Sequence, residues 1–140
     1  NMNRETLLPV VKELNKLLAD YNLHYQKLRN FHWNIVGQNF FDLHTKFEGM
    51  YNDAKLKIDA IAERILTLKF HPISRFSDYL ETSSIKESPS LISDTEMVND
   101  ILNDASILLK QMKTITTGTN ISSKYHTYIL FYRIKIPEAL

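Results

Sequence analysis

The fold is best predicted from residues 31–64, which read FHWNIVGQNFFDLHTKFEGMYNDAKLKIDAIAER. Gly37 interrupts the first helical pattern, and Asn39 is a suitable N-cap for the second. Apolar residues then recur every three or four positions until Pro72, which closes the second pattern because a proline disfavours helix at the residue before it. The stretch therefore predicts two long helices joined by a short connection.

The same periodicity extends over most of the chain and predicts an all-α protein. The predicted long helices are 5–34, about 40–69, and from 93 or 94 to 117, with a short helix over 76–80. Pro9 is tolerated only in a first turn, so the first helix should begin within residues 5–8. Residues 119–140 fit a helix or, from Thr127 to Ile136, a strand. We favour a fourth helix, because three long helices need a partner to close a bundle within a single domain, residues 1–140.

Composition limits the possible functions. The chain has 140 residues, no cysteine and a formal net charge of +1. The absence of cysteine excludes disulfides, thiolate metal sites and a cysteine nucleophile. The net charge gives no argument for nucleic-acid or membrane binding, and no apolar run approaches the roughly 18 residues that span a bilayer. The first residues show no apolar signal-peptide core, so we expect a cytoplasmic protein.

Five residues in this stretch carry most of the information, and all five are of types that bind transition metals. They are His32, His44, Glu48, Asp59 and Glu63. Two pairs, His44/Glu48 and Asp59/Glu63, have the i,i+4 spacing that places side chains on one face of a helix. Glu48 and Asp59 are separated by roughly 16 Å along the axis, yet by almost a whole number of turns. The two pairs therefore face the same way, but one ion with ligands at about 2.0–2.2 Å cannot reach both.

A two-fold axis resolves this mismatch. With the axis near residues 53 and 54, two copies of the second helix run antiparallel, and the first pair of one subunit meets the second pair of the other. Such an isologous contact builds two equivalent sites, and His32 adds a second imidazole near the His44 end. The sequence thus predicts an inter-subunit site with two nitrogen and three carboxylate ligands. Without thiolates this set suits iron, manganese or zinc, and three carboxylates favour the harder ion.

For any one of these five residues taken alone, the probability that it is only a solvated or hydrogen-bonded side chain is roughly nine in ten. His24, His71 and His126 are interpreted in that ordinary way, and Trp33 taken alone is interpreted as a packing aromatic at a helix end. No glutamate is followed three residues later by a histidine, so the Glu-x-x-His site inside the bundle of other di-iron proteins is not predicted. Only the joint spacing of the five indicates a metal site.

The joint pattern resembles the signature of the Dps proteins, the starvation-induced miniferritins of the ferritin-like superfamily. It comprises His32-Trp33-Asn34, Gly37, Phe40 or Phe41, His44, Phe47-Glu48 and Asp59-Ala60-Ile61-Ala62-Glu63-Arg64. The general similarity extends from residue 5 to about residue 115. The resemblance identifies Trp33 with a family tryptophan beside the metal centre that takes up oxidising equivalents.

The resemblance implies a ferritin-like four-helix bundle with a short helix in the crossover, assembled as two-fold dimers into a hollow shell of twelve subunits. It implies a ferroxidase that oxidises Fe(II), preferentially with hydrogen peroxide, at di-iron centres between subunits and stores the ferric mineral. His32 would hold the tighter iron with Asp59 and Glu63. His44 and Glu48 would hold the second iron, with Glu63 bridging, and zinc is a possible occupant.

Two departures from the family pattern concern partners and iron uptake. Many members bind DNA through a Lys-rich tail, but here only Arg4 precedes the first helix and IPEAL ends the chain, so we expect weak or no DNA binding. No Asp follows Asp104, whereas the family lines its iron-uptake pores with Asp from that region. The alternatives are a DNA-compacting protein with a secondary metal site, and a helical bundle that holds zinc as a structural ion.

Overall fold

Four helices make up the part of the protein that the computed structural model describes, residues 3–117. They are α1 (Arg4–Asn34), α2 (Phe40–Thr67), α3 (Phe76–Thr82) and α4 (Asp94–Thr117). No strand occurs within this range, so the all-α prediction is confirmed, as is the short crossover helix. None of these helices is long and apolar enough to cross a membrane. The predicted fourth long helix, in residues 119–140, lies outside the described residues.

The start of α1 differs from the prediction, because the helix begins at Arg4 and not within residues 5–8. Pro9 therefore lies beyond the first turn, where its missing N–H leaves one carbonyl without its helical donor. Asn3 offsets part of this cost as the N-cap. Its side-chain oxygen accepts hydrogen bonds from the backbone N–H and the hydroxyl of Thr6, at 2.9 and 2.7 Å.

The end of α2 is a Schellman motif. The N–H of Phe70 donates to the carbonyl of Ile65 at 3.2 Å, and the N–H of Lys69 donates to the carbonyl of Leu66 at 2.9 Å. Lys69 has a φ of 68°, the left-handed conformation that glycine adopts at lower cost. The helix consequently ends at Thr67, slightly before the predicted end near Lys69.

The starts of α2 and α4 differ in their side-chain hydrogen bonds. Asn39 holds the predicted N-cap position, but its amide donates to Asp94 Oδ2 at 2.8 Å and caps no N–H of α2. At α4, Ser93 Oγ accepts from the N–H of Glu96 at 3.1 Å, and Glu96 Oε2 accepts from the N–H of Ser93 at 2.8 Å. This reciprocal capping box starts α4 where the sequence predicts it. The Ser93 hydrogen bonds lower the pKa of the Glu96 carboxyl.

The long helix α1 is the centre of the bundle, because α2, α3 and α4 all pack against it. Its interior face carries apolar residues at helical spacing, and the facing sides of α2 and α4 do the same. The largest fully buried side chains are Tyr21, Phe31, Phe47, Leu14, Leu17, Leu18, Leu28, Ile35, Ile61, Ile65, Ile85 and Met97. This packing fixes the C-terminal end of α1 against the N-terminal half of α2.

A buried ionic cluster joins α1 to α4. Lys27 Nζ lies 3.0 Å from Asp100 Oδ1 and 2.9 Å from Asp104 Oδ2. His24, one turn earlier on α1, places Nδ1 3.6 Å from Asp104 Oδ2. The hydroxyl of Ser88 in the crossover donates to the second oxygen of Asp100. The cluster therefore ties three parts of the chain together in the interior.

Candidate metal centre

His32 and His44 form a reciprocal pair across the connection between α1 and α2. His32 Nδ1 lies 2.7 Å from the carbonyl oxygen of His44, and His44 Nδ1 lies 2.7 Å from the carbonyl oxygen of His32. The two rings stack, with centroids 3.7 Å apart and planes inclined by 20°. His32 is buried and His44 is half-buried. The pair is thus held from both sides by the backbone that carries it.

These two hydrogen bonds determine which ring nitrogen is available to a metal ion. A carbonyl oxygen can only accept, so Nδ1 of each ring must carry the hydrogen. In the neutral imidazole Nε2 then keeps its lone pair, and this is the form that binds a metal. The carbonyl of His32 is also one of the last four of α1, which lack helical donors. The hydrogen bond from His44 Nδ1 therefore caps the C-terminal end of α1 and also orients the His44 ring.

Two aromatic side chains restrict the histidine rings further. Phe40 stacks on His44 with a centroid distance of 5.0 Å. Tyr51 contacts His32 edge-on, with centroids 5.4 Å apart and planes at 77°. Sequence reasoning treated Tyr51 as an ordinary core residue, although its seven-residue spacing from His44 places it on the same face of α2. These contacts leave the imidazoles little freedom to rotate.

The three candidate carboxylates lie apart from the histidine pair along α2. Glu48, Asp59 and Glu63 all have exposed side chains. Since α2 is one unbroken helix, Glu48 and Asp59 are roughly 16 Å apart along its axis. Within the described range, no group of three or more His, Asp and Glu side chains lies close enough to hold a metal ion. One chain therefore brings two of the five candidate ligands together and displays the other three on its surface.

The remaining candidates have different surroundings. Trp33 is 58% exposed, and the guanidinium of Arg29 lies 4.8 Å from the centre of its ring. His24 is buried in the ionic cluster with Asp104, and His71 is exposed. His126 lies outside the described residues. Sequence reasoning missed the buried position of His24, because no local pattern links it to a carboxylate on α4.

Comparison with known proteins agrees with this architecture. Residues 11–135 match the family model of the ferritin-like domain. The chain is 40% identical over 114 residues to the DNA protection during starvation protein of Porphyromonas gingivalis, covering 81% of this chain and 72% of that protein. It is 44% identical over 100 residues to the protein of the same name from Brevibacillus brevis, covering 71% of this chain and 67% of that one.

Solved structures give the same result. A Dps protein from Vibrio cholerae O1, described as a member of a broad superfamily of ferritin-like diiron-carboxylate proteins, has a TM-score of 0.85 at 36% identity, covering 94% of this chain and 83% of that one. A Dps protein from Bacillus brevis has a TM-score of 0.85 at 35% identity, covering 94% and 87%. The ferritin-like four-helix bundle is thereby confirmed, and the chain belongs to the Dps family of ferritin-like proteins.

Proposed function

We propose that this protein is a ferroxidase that oxidises Fe(II) at di-iron centres shared between two subunits and stores the ferric product. Membership in a family that includes a diiron-carboxylate protein supports iron sequestration in general. The observation that carries the finer proposal is the reciprocal pair of His32 and His44, which presents two Nε2 atoms with lone pairs. The histidine pair has no carboxylate beside it among the described residues, whereas Glu48, Asp59 and Glu63 are exposed on α2.

Antiparallel pairing of α2 with a second copy completes the site. A two-fold axis near residues 53 and 54 carries the partner subunit's Asp59 and Glu63 to the histidine pair. His32 then binds one iron with these two carboxylates, and His44 with Glu48 binds the other, with Glu63 as the bridge. The two histidine rings stack with centroids 3.7 Å apart, so the imidazoles are neighbours, and in this proposal each binds one ion of a two-metal site.

Two adjacent Fe(II) ions match the electron demand of hydrogen peroxide, which we propose as the preferred oxidant. Each ion gives one electron, and with two protons one peroxide becomes two waters without release of a hydroxyl radical. Three carboxylates per site favour Fe(III) over Fe(II) and so promote the oxidation. Removal of Fe(II) and peroxide together would protect DNA. We place this chemistry in a cytoplasmic shell of twelve subunits built from two-fold dimers.

The direct test is anaerobic titration with Fe(II) followed by peroxide, with ferric formation read by absorbance. We expect about two irons oxidised per peroxide, because two one-electron donors react with one two-electron acceptor. The double variant His32→Ala/Asp59→Ala should lose the fast phase, while the control His71→Ala, at an exposed histidine, should retain it. An unchanged rate in the double variant would refute the assignment of the site.

A DNA-compacting protein is the second candidate. Two relatives are named DNA protection during starvation protein, a name that fits compaction and removal of Fe(II) and peroxide equally. The net charge of +1 offers little attraction for phosphates, so we expect no retardation of plasmid in a gel at physiological salt. A bundle with structural zinc is the third candidate. Iron oxidation kinetics separate it from the ferroxidase, since a structural zinc site would give no peroxide-dependent fast phase.

A further inference from the structure

A polar cavity lies between the last turns of α1 and the crossover segment that precedes α4. Its volume is about 280 Å³, just below the roughly 300–1,000 Å³ of most small-molecule sites, so it suits a ligand with a single ring. The cavity shares no residue with the histidine pair. Trp33, which lines it, follows His32 in sequence, but neighbouring positions on a helix point about 100° apart and the two side chains lie on different sides of α1.

Three amide side chains on one face of α1 line the cavity. Gln26, Asn30 and Asn34 follow one another at i,i+4 spacing. The Asn34 amide donates to the side-chain oxygen of Asn30 at 2.9 Å, and the Asn30 amide donates to the carbonyl of Ser88 in the crossover at 3.2 Å. Gln26 Oε1 accepts from the guanidinium of Arg29 at 3.2 Å. These hydrogen bonds hold the three amides in place, which lowers the entropy cost of binding a ligand.

The lining also offers polar groups that make no hydrogen bond to another of residues 3–117. They are the amide nitrogen of Gln26, the side-chain oxygen of Asn34, the carboxylate of Glu87 and the hydroxyl of Ser90. Donors and acceptors are both present, and they come from α1 on one side and from the crossover on the other. A ligand rich in hydroxyl groups matches such a mixture, because each hydroxyl both donates and accepts.

The charges of the lining disfavour an ionic ligand. Lys27 supplies a positive charge, but its side chain is 4% exposed and its ammonium lies 3.0 Å from Asp100 and 2.9 Å from Asp104. This lysine is already neutralised, and Glu87 adds a negative charge that repels phosphates and carboxylates. A metal ion does not fit either, because no group of three or more His, Asp and Glu side chains in the described part of the chain could hold one. The cavity therefore suits a neutral ligand.

Trp33 provides a flat apolar surface beside these polar groups. The residue is 58% exposed, and the guanidinium of Arg29 lies 4.8 Å from the centre of its ring, which covers one face of the indole. A pyranose ring has C–H groups on its faces and hydroxyls around its edge, so it packs on an indole while its edge forms hydrogen bonds. We propose that the cavity binds one neutral sugar unit, which packs on Trp33 and hydrogen-bonds to Gln26 and Asn34. This site does not depend on the iron chemistry.

The test uses the whole chain in its native assembly, without iron. Trp33 is the sole tryptophan of the chain, so tryptophan fluorescence reports directly on this cavity. Titration with D-glucose, D-galactose and D-mannose should give a saturable change with at least one of the three. We expect a dissociation constant in the millimolar range, because a ligand of so few atoms makes few contacts. Glycerol at the same concentrations is the control for the effect of added hydroxyl groups on the solvent, and it should not saturate.

Two variants show whether the sugar binds in the cavity. Gln26→Leu removes an amide of the lining at an exposed position, so it should weaken binding several-fold. Asn103→Leu is the matched control, since Asn103 is an exposed amide on α4 that does not line the cavity, and it should bind the sugar as the wild type does. Absence of saturation with all three sugars would overturn the proposal, and so would a dissociation constant that Gln26→Leu leaves unchanged. Saturation with inorganic phosphate and with none of the sugars would also overturn it, because the site would then bind an anion.

Discussion

Replacing Lys27 by methionine removes the cation from the buried cluster that joins α1 to α4. The side chains of Lys27 and Asp104 are 4% and 2% exposed, whereas that of Asp100 is 25% exposed. Because the carboxylate of Asp104 is buried, removal of the lysine leaves it in the interior beside the imidazole of His24, 3.6 Å away. Methionine fills nearly the volume of the lysine stem, so the change tests charge and not packing.

The magnitude follows from the burial of the pair. Removal of one partner of a buried ion pair costs about 3–5 kcal/mol. An unfolding entropy of about 2.1 cal/mol/K per residue gives roughly 0.3 kcal/mol/K for the 140 residues of the chain. The melting temperature should therefore fall by about 10–17 °C. Since whole domains are stable by only about 5–15 kcal/mol, this loss is a large fraction of the total.

The assay is differential scanning calorimetry at one fixed protomer concentration, because oligomerisation shifts the transition. Lys12→Met, at an exposed lysine of α1, is the control and should change the stability by less than about 0.5 kcal/mol. The double variant Lys27→Met/Asp104→Leu should recover most of the loss, since an apolar pair can replace a buried ion pair. A Lys27→Met variant as stable as the control, or a double variant no better than Lys27→Met alone, would refute the reasoning.

Two further substitutions test how the helices end. Lys69→Gly should raise the free energy of unfolding by about 1 kcal/mol, because glycine adopts a φ of 68° without the clash of a Cβ; a loss of stability in urea unfolding would contradict this. Ser93→Ala should lower the melting temperature by a few degrees, because it removes the cap of α4. The hydrogen bonds from Ser93 lower the pKa of Glu96 in the folded state, so they stabilise the protein above the unfolded pKa of about 4.3 and this contribution is lost as the pH falls through the folded value. Alanine keeps the backbone N–H of Ser93 that donates to the Glu96 carboxylate, so the pH test uses Glu96→Gln, which removes the carboxylate. Glu96→Gln should differ less from the wild type in acid than at neutral pH, and an equal difference at both would count against the capping box.

Local patterns in the sequence were sufficient to predict the four helices of residues 3–117, except for where α1 begins. The start of α4 follows from Ser93 and Glu96, whose capping box involves neighbours in sequence. The same rules failed where a distant contact competes with the local one. Asn39 holds the N-cap position, but its amide bonds to Asp94, which only the folded chain brings near. Lys69 adopts a conformation that its residue type disfavours, because the surrounding Schellman motif imposes it.

The candidate site also has features that the sequence predicts and features that it does not. The spacing of His44, Glu48, Asp59 and Glu63 follows from the regular geometry of one helix, which the structure describes without a break. The reciprocal hydrogen bonds of His32 and His44 depend on how the connection after α1 turns the chain, and spacing contains no information on that. The cluster of Lys27 and its carboxylates joins residues more than 70 positions apart, so periodicity could reveal that each is on a helix but not that they meet.

Subunit complementation tests the central claim, that each iron centre is made by two chains. One variant lacks both histidines, His32→Ala/His44→Ala, and the other lacks the distal carboxylates, Asp59→Ala/Glu63→Ala. Each alone should show no fast peroxide-dependent oxidation of Fe(II). In a mixed dimer, one of the two isologous sites receives its histidines from one chain and its carboxylates from the other, so equal co-expression should restore about a quarter of the wild-type activity. Mixed dimers, verified by mass spectrometry, that remain inactive would contradict the shared site.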